Sequence, residues 1–246
     1  MKAIVLSCDK YRPITNHMIL THQKLWPTNN LKFLVPWNDD YPKAMKEEYG
    51  NKIELINTPV EFKETISGLL ANVEDDEWIY WSTDDTYLID IYEDEANKTQ
   101  EFVESIVDKD IIGVTFGFIR GVSKNINKTD SISYKDLNFI RRTKLTNQWA
   151  PQYWRAHVLR YMFDCLEEAP KHEAKQMDYM LSETNLFWNI LDKGKMYTLD
   201  HNAAMWGEST HRGNITKNCV ESFKTYGLNI PETFKKTNTE IYFVNE

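Results

Sequence analysis

An alternation of short apolar runs with helix-period segments constrains this chain more than any other feature. Ala3 to Leu6 is a continuous apolar run that gives way abruptly to Ser-Cys-Asp-Lys, as a buried strand does where it emerges at a polar loop. Pro13 follows where a first helical turn tolerates proline, and Ile14, Met18 and Leu25 recur at helical spacing until Pro27 stops the pattern. Leu31 to Val35 then reads as a strand, Pro42 to Tyr49 as a short helix closed by Gly50, and Ile53 to Ile56 as a further strand. Phe62, Ile66, Leu69, Leu70 and Val73 place one apolar stripe along a helix, which ends in the solvated turn Glu74 to Glu77. Trp78 to Trp81 is aromatic and β-branched like a buried strand, and it runs directly into Ser82-Thr83-Asp84-Asp85. A charged helix around Glu93 to Val107 leads to a strand over Ile111 to Phe116. Strands separated by helices predict an α/β fold, a mostly parallel sheet covered by helices on both faces.

Beyond residue 116 the pattern loosens. Residues 117–152 mix glycine, asparagine and lysine around a strand expected over Tyr134 to Arg142. An amphipathic helix is expected from Trp154 to Leu166 and a second from Ala174 to Leu191. The 246 residues are read as one domain, 1–246, with a first half to 116 and a second half from 117. A hydrophobic fraction of 41% excludes a disordered chain, and a net charge of −8 makes nucleic acid an unfavourable partner. Cys8, Cys165 and Cys219 are odd in number and lack metal-ligand spacing, which fits reduced thiols and a cytoplasmic setting. The opening apolar run is too short for a signal peptide, and no run approaches the roughly 20 apolar residues of a membrane span, so membrane contact would be peripheral.

Asp84 and Asp85 are the strongest candidates for chemistry. Adjacent carboxylates at the end of a strand diverge, so one can face a divalent cation while the other meets a ribose or a loop amide. In parallel α/β sheets ligands collect beyond the carboxyl ends of strands, and Ser7 to Tyr11 at the exit of the first strand would share that rim. The same pair can instead simply cap a turn. His211-Arg212-Gly213 before a helix beginning near Thr216 offers cations beside a helix N-terminus, a combination that receives phosphate, although a plain capped loop would look the same. Asp178 and Glu183 are candidate general bases. They lie five positions apart on one expected helix and cannot face the same way, so at least one is an ordinary surface residue. Trp149 or Trp154 could stack on a sugar, though large aromatics more often fill cores. His201 is a weaker candidate metal ligand.

The segments IVLSCDKY (4–11), LWP (25–27), TISGLLANVEDDEWIYWSTDDTYLID (65–90), QWAPQYWRAHVLRYM (148–162) and HRGNITKN (211–218) resemble GT-A-type glycosyltransferases of the bacterial and phage capsular or cell-surface polysaccharide class. That resemblance implies a GT-A-like, Rossmann-like fold with a helical C-terminal extension on the acceptor side. It implies transfer of a sugar from a nucleoside-diphosphate donor to a glycan hydroxyl, with Mg²⁺ or Mn²⁺ on the diphosphate. Residues 1–116 would bind the nucleotide sugar and 117–246 the acceptor. Ser7, Asp9 and Lys10 would contact the nucleotide, Asp84 the ribose, Asp85 the metal, and His211 with Arg212 the phosphates. The adjacent aspartates depart from a strict Asp-x-Asp pattern, which favours Asp85 as a single direct ligand. The enzyme would work in the cytoplasm, at the inner membrane surface, or in a host cytoplasm if viral. Competing readings are a nucleotidyltransferase, disfavoured because Ser-Cys-Asp-Lys contains no glycine, a noncatalytic nucleotide-sugar or glycan-binding protein, and an enzyme glycosylating modified phage DNA.

Overall fold

The computed structural model describes residues 1–119, 122–144, 148–165, 194–211, 213–230, 232 and 234–236. Nine strands form the main sheet. In chain order they are β1 (Lys2–Leu6), β2 (Lys32–Trp37), β3 (Ile53–Asn57), β4 (Trp78–Thr83), β6 (Ile111–Thr115), β7 (Ile126–Tyr134), β8 (Leu137–Arg142), β9 (Gln152–Arg155) and β10 (Lys195–Leu199). Across the sheet the order is β3-β2-β1-β4-β9-β6-β10-β8-β7, and only β9 and β8 run against the rest. The fold is therefore the mostly parallel, helix-covered α/β sheet expected from the alternation. The chain winds from β1 out to β3, then returns to place β4 on the other side of β1. That reversal is a topological switch point, and it opens a crevice beyond the carboxyl ends of β1 and β4.

Strand alternation feeds two cores. Ala3, Val5, Trp78 and Tyr80 face one side, where α1 (Arg12–Leu25), α2 (Lys43–Tyr49), α4 (Glu93–Ser105) and a late helix, α6 (Lys217–Thr225), bury Met18, Met45, Phe102 and Phe223. Ile4, Leu6, Ile79 and Trp81 face the other side, where α3 (Phe62–Leu70) and α5 (Ala156–Asp164) supply Ile66, Leu69, Leu159 and Phe163. β4 is buried along its whole length because both faces are covered, which explains its unbroken aromatic sequence. Trp81 is fully buried, and its indole N–H donates to the Gln148 carbonyl at 2.7 Å. Replacing it with alanine would cost about 3–5 kcal/mol, and would also release the segment carrying Trp149.

Two expectations need correction. Trp154 does not begin a helix: Gln152–Arg155 is a strand inserted antiparallel between β4 and β6, and the helix starts at Ala156. The strand expected over 134–142 is one arm of a hairpin, β7 and β8, turning at Lys135 and Asp136 with Lys135 at a φ of 54°. Thr86–Ile91 is a further strand, β5, that leaves the main sheet and pairs antiparallel with β11 (Ala204–Glu208). The described part of the C-terminal half holds, beside α5 and α6, β7 to β11 and the short strands β12 (Thr210–His211), β13 (Asn214–Ile215) and β14 (Lys235–Lys236). The helix expected over 174–191 lies outside the described residues. The three cysteines are unpaired, and among the described residues no helix is long and apolar enough to cross a membrane.

Candidate active site

At the switch point Leu6 pairs with Thr83, and the Asp84 N–H extends the ladder by donating to the Leu6 carbonyl at 3.1 Å. Asp84 and Asp85 are the two residues that link β4 to β5, so the acid pair sits where the chain leaves the main sheet. On its far side the turn is fixed by the Ser209 N–H, which donates to the Asp85 carbonyl at 2.5 Å. β11 can lie this close to β5 because Gly207 opposes Tyr87: a Cβ there would stand 2.6 Å from Ile89 and 3.2 Å from the Tyr87 ring. These connections define a cavity of about 640 Å³. Asp84, Asp85 and Glu208 give it three carboxylates, Ser7, Thr83, Thr86 and Thr210 give hydroxyls, and Tyr11, Phe62 and Trp149 give aromatic walls.

The electrostatics follow from what surrounds the acids. Asp84 and Asp85 are only partly exposed to the cavity. Burial, then repulsion from Asp85, raises the Asp84 pKa well above the usual carboxylate value, against the opposing pull of the Ser7 hydroxyl. Burial raises Asp85 as well, opposed by the Thr83 hydroxyl, which donates to its carboxylate at 2.9 Å. No lysine or arginine is among the described residues lining the cavity. The Cys8 thiol, which also lines the cavity, has its pKa pushed up by burial.

A divalent cation fits this donor set. Mg²⁺ is commonly held by one or two carboxylates, with waters and substrate phosphates completing its shell, and hard oxygen ligands are what the acid turn offers. No group of three His, Cys, Asp or Glu side chains close enough to form a complete protein cage occurs among the described residues. A cation here would share its coordination with a ligand.

The other candidate residues fall in different places. Ser7 lines the cavity and lies 2.7 Å from the Thr15 hydroxyl on α1. Asp9 stands beyond the strand end with its carboxylate occupied, accepting from the backbone N–H groups of Asn38 (3.1 Å), Asp39 (2.8 Å) and Asp40 (2.9 Å) and from the Arg12 guanidinium. Burial works against its charge, but these donors outweigh it and lower its pKa. Lys10 is exposed, its ammonium 5.2 Å from the Tyr11 ring centroid. His211 is on β12 next to the lining residue Thr210. Arg212, Asp178 and Glu183 lie outside the described residues. His201 has both ring nitrogens committed, to Asp200 at 2.7 Å and Glu95 at 2.9 Å, and it stands outside the cavity lining. Trp149 is in the cavity wall, whereas Trp154 and Trp206 are buried in the core. Sequence reasoning missed Glu208 because it missed β11. The available signal was slight, one tryptophan in a short stretch ending in an acid, Met205-Trp206-Gly207-Glu208.

Comparison with known protein families and with curated proteins finds no match. Among solved structures the chain is similar to UDP-glucose pyrophosphorylase. The apo form aligns with a TM-score of 0.50 at 5% identity over 92% of this chain and 97% of that one. Its complex with UDP-glucose gives 0.50 at 6% identity over 92% and 98%. The galactosyltransferase LgtC, in complex with donor and acceptor sugar analogs, aligns with a TM-score of 0.45 at 11% identity over 97% of this chain and 87% of that one. The pyrophosphorylase alignments identify a shared α/β fold.

Proposed function

We propose that this chain is a nucleotide-sugar-dependent glycosyltransferase that moves a sugar from a nucleoside diphosphate to a hydroxyl of a glycan, with Mg²⁺ or Mn²⁺. The observation that carries the reading is the charge of the switch-point cavity: three carboxylates and, among the described lining residues, no lysine or arginine. A diphosphate entering it meets like charge on the described lining, so its binding calls for a divalent cation at Asp84 and Asp85. When bound, that cation neutralises the diphosphate as leaving-group charge develops.

The remaining roles belong to side chains of this protein. Ser7 and Thr83 orient the two acids, and Tyr11, Phe62 and Trp149 offer apolar faces for base and sugar rings. Asp9 acts as a positioning residue, holding residues 38–40 against the exit of β1. His211, with Arg212, would add positive charge on the phosphate side. In the transfer the bond from the anomeric carbon to the diphosphate oxygen breaks, a bond to the acceptor oxygen forms, and the acceptor proton passes to a carboxylate. Glu208 reaches the cavity from β11 and is a candidate for that base beside Asp178 and Glu183. Membrane-linked acceptors would be met from the aqueous side.

The test is a screen of nucleoside-diphosphate sugars by thermal shift and donor hydrolysis, with and without Mn²⁺, on the natural chain and on Asp85→Ala. Stabilisation and cleavage that need both metal and Asp85 are expected. Failure to bind any donor in the presence of metal would sink the reading and leave a noncatalytic glycan-binding protein. The fold likeness to UDP-glucose pyrophosphorylase favours one second reading, nucleotidyl transfer. Supplying pyrophosphate with the bound nucleotide sugar separates the two, because only a nucleotidyltransferase would release a nucleoside triphosphate. The glycine-free exit of β1, Ser7-Cys8-Asp9-Lys10, argues against that reaction.

A further inference from the structure

We propose that Trp37 and Tyr41, in the half that the resemblance gives to the nucleotide sugar, form an outer saccharide subsite at the carboxyl rim of β2, which, resting on the transferase reading, receives the far end of the acceptor glycan. Trp37 closes β2 at the carboxyl rim, and Tyr41 follows four residues later, 49% exposed. Their ring centroids are 5.5 Å apart with planes at 88°, so the pair presents a face and an edge at right angles. Neither ring belongs to the two hydrophobic cores, and among the described residues neither has another ring contact.

Exposed aromatics on a mobile loop would be ordinary surface, but this loop is held from three directions. Asp9 takes the N–H groups of Asn38, Asp39 and Asp40. Asn38 accepts from the Asp9 N–H at 3.1 Å and donates to the carbonyls of Thr58 and Pro59 at 3.0 and 3.1 Å. Asn57 donates to the carbonyls of Trp37 and Asn38 at 3.2 and 3.0 Å. The last two sets tie the loop to residues 57–59, immediately before Val60, which lines the cavity. The backbone that carries the two rings is therefore fixed, and the chain joins its anchor at 57–59 to the cavity lining at Val60, which lowers the ordering cost of binding.

The chemistry around the rings selects the occupant. Aromatic faces stack on the C–H face of a pyranose or on a nucleobase. Here the flanking side chains are the exposed carboxylates of Asp39 and Asp40, which accept hydrogen bonds from sugar hydroxyls and repel phosphate. A neutral oligosaccharide fits that surface, and a nucleotide does not.

Isothermal titration of the full chain with short neutral cello-, xylo-, malto- and chito-oligosaccharides, and in parallel with UDP and GDP, tests the assignment on the natural chain, Trp37→Ala and Tyr41→Ala. Thermal melting of each variant checks that it is folded, and the milder Trp37→Phe keeps the test available if Trp37→Ala is not. At least one oligosaccharide should bind, and each alanine variant should weaken it about tenfold while UDP binding and metal-dependent donor hydrolysis stay as they were. Absence of binding by every oligosaccharide, or variants that weaken UDP rather than the saccharide, would overturn the subsite. A chain that binds saccharide through Trp37 and Tyr41 yet cleaves no donor would instead sink the transferase reading and leave the subsite standing.

Discussion

Asp9 and Asp84 leave neighbouring strands on the same rim of the sheet, yet they meet opposite surroundings. Beyond β1, the Asp9 carboxylate accepts from three backbone N–H groups and one guanidinium, and its pKa falls. Beyond β4, Asp84 and Asp85 are packed side by side with little more than the hydroxyls of Ser7 and Thr83 to compensate, and both pKa values rise. The first acid is satisfied by its own chain and so stabilises the fold. The second pair is left short of positive charge, which costs stability and, under the proposed function, would be relieved by a bound cation.

The largest expected effect lies at the unsatisfied pair. Asp85→Asn should lower metal-dependent donor turnover by about 10²–10³-fold, the typical loss for one preorganised electrostatic group. It should also abolish the thermal shift on adding Mn²⁺, and a variant that keeps both would remove Asp85 from the site. Next comes the contrast itself. Asp9→Asn should cost about 2–3 kcal/mol, because charged hydrogen bonds are weakened and the Arg12 guanidinium loses its carboxylate. Asp84→Asn, in metal-free protein at neutral pH, should instead gain about 1 kcal/mol, seen as a rise of roughly 2–4 °C in Tm. Denaturant melts of the two variants that moved the same way would break the comparison.

The same reasoning about partners extends to histidines. His17 and His22 are buried on α1, and among the described residues no carboxylate is paired with them; burial lowers their pKa values to about 3 and about 4, from 6.5. Because the folded values are depressed, their contribution is fully present above pH 6.5 and is lost as pH falls toward the folded values. At pH 5 each should cost about 2 kcal/mol of unfolding free energy, measurable by urea melts at pH 7 and pH 5 and reduced in His17→Gln. The smallest effect belongs to His201. Burial opposes its charge, but hydrogen bonds to Asp200 and Glu95 raise its pKa. Its contribution is therefore present below pH 6.5 and fades as pH rises through the folded value. The ring is 45% exposed, so His201→Ala should shift stability by less than about 0.5 kcal/mol at pH 6. A larger loss in thermal melts would mean that the bridge between α4 and the segment after β10 is more than a surface contact.

The elements that were legible in the sequence are those whose signal is local. β1 to β4 and their helices carry continuous apolar runs or a single helical stripe, bounded by proline, glycine or an acidic turn. The acid turn was legible for the same reason, as a polar break directly after Trp81. What escaped was pairing at a distance. Gln152–Arg155 has only four residues and flows into α5, so nothing local distinguishes it from the helix's first turn, and its strand state is set by β4 and β6 on either side. Thr86–Ile91 and Ala204–Glu208 need each other to be strands, and more than 110 residues separate them. Glu208 was hidden with its strand. Asp9 shows the converse: its position on the rim was readable, but its partners at Asn38, Asp39 and Asp40 come from another loop.

The hydrogen bond from the Ser209 N–H to the Asp85 carbonyl has a consequence for biosynthesis. Every parallel pairing of β1 to β4 is available once residue 83 has been made, so that part of the sheet can assemble while translation continues. The acid turn, however, is braced by β11 and by residues just after it, and Glu208 and Thr210 form part of the cavity lining. A nascent chain that has not yet released residues 204–216 therefore carries a partly built sheet with no finished site. The finished cavity therefore arrives late, after most of the chain has been made, rather than growing with the sheet.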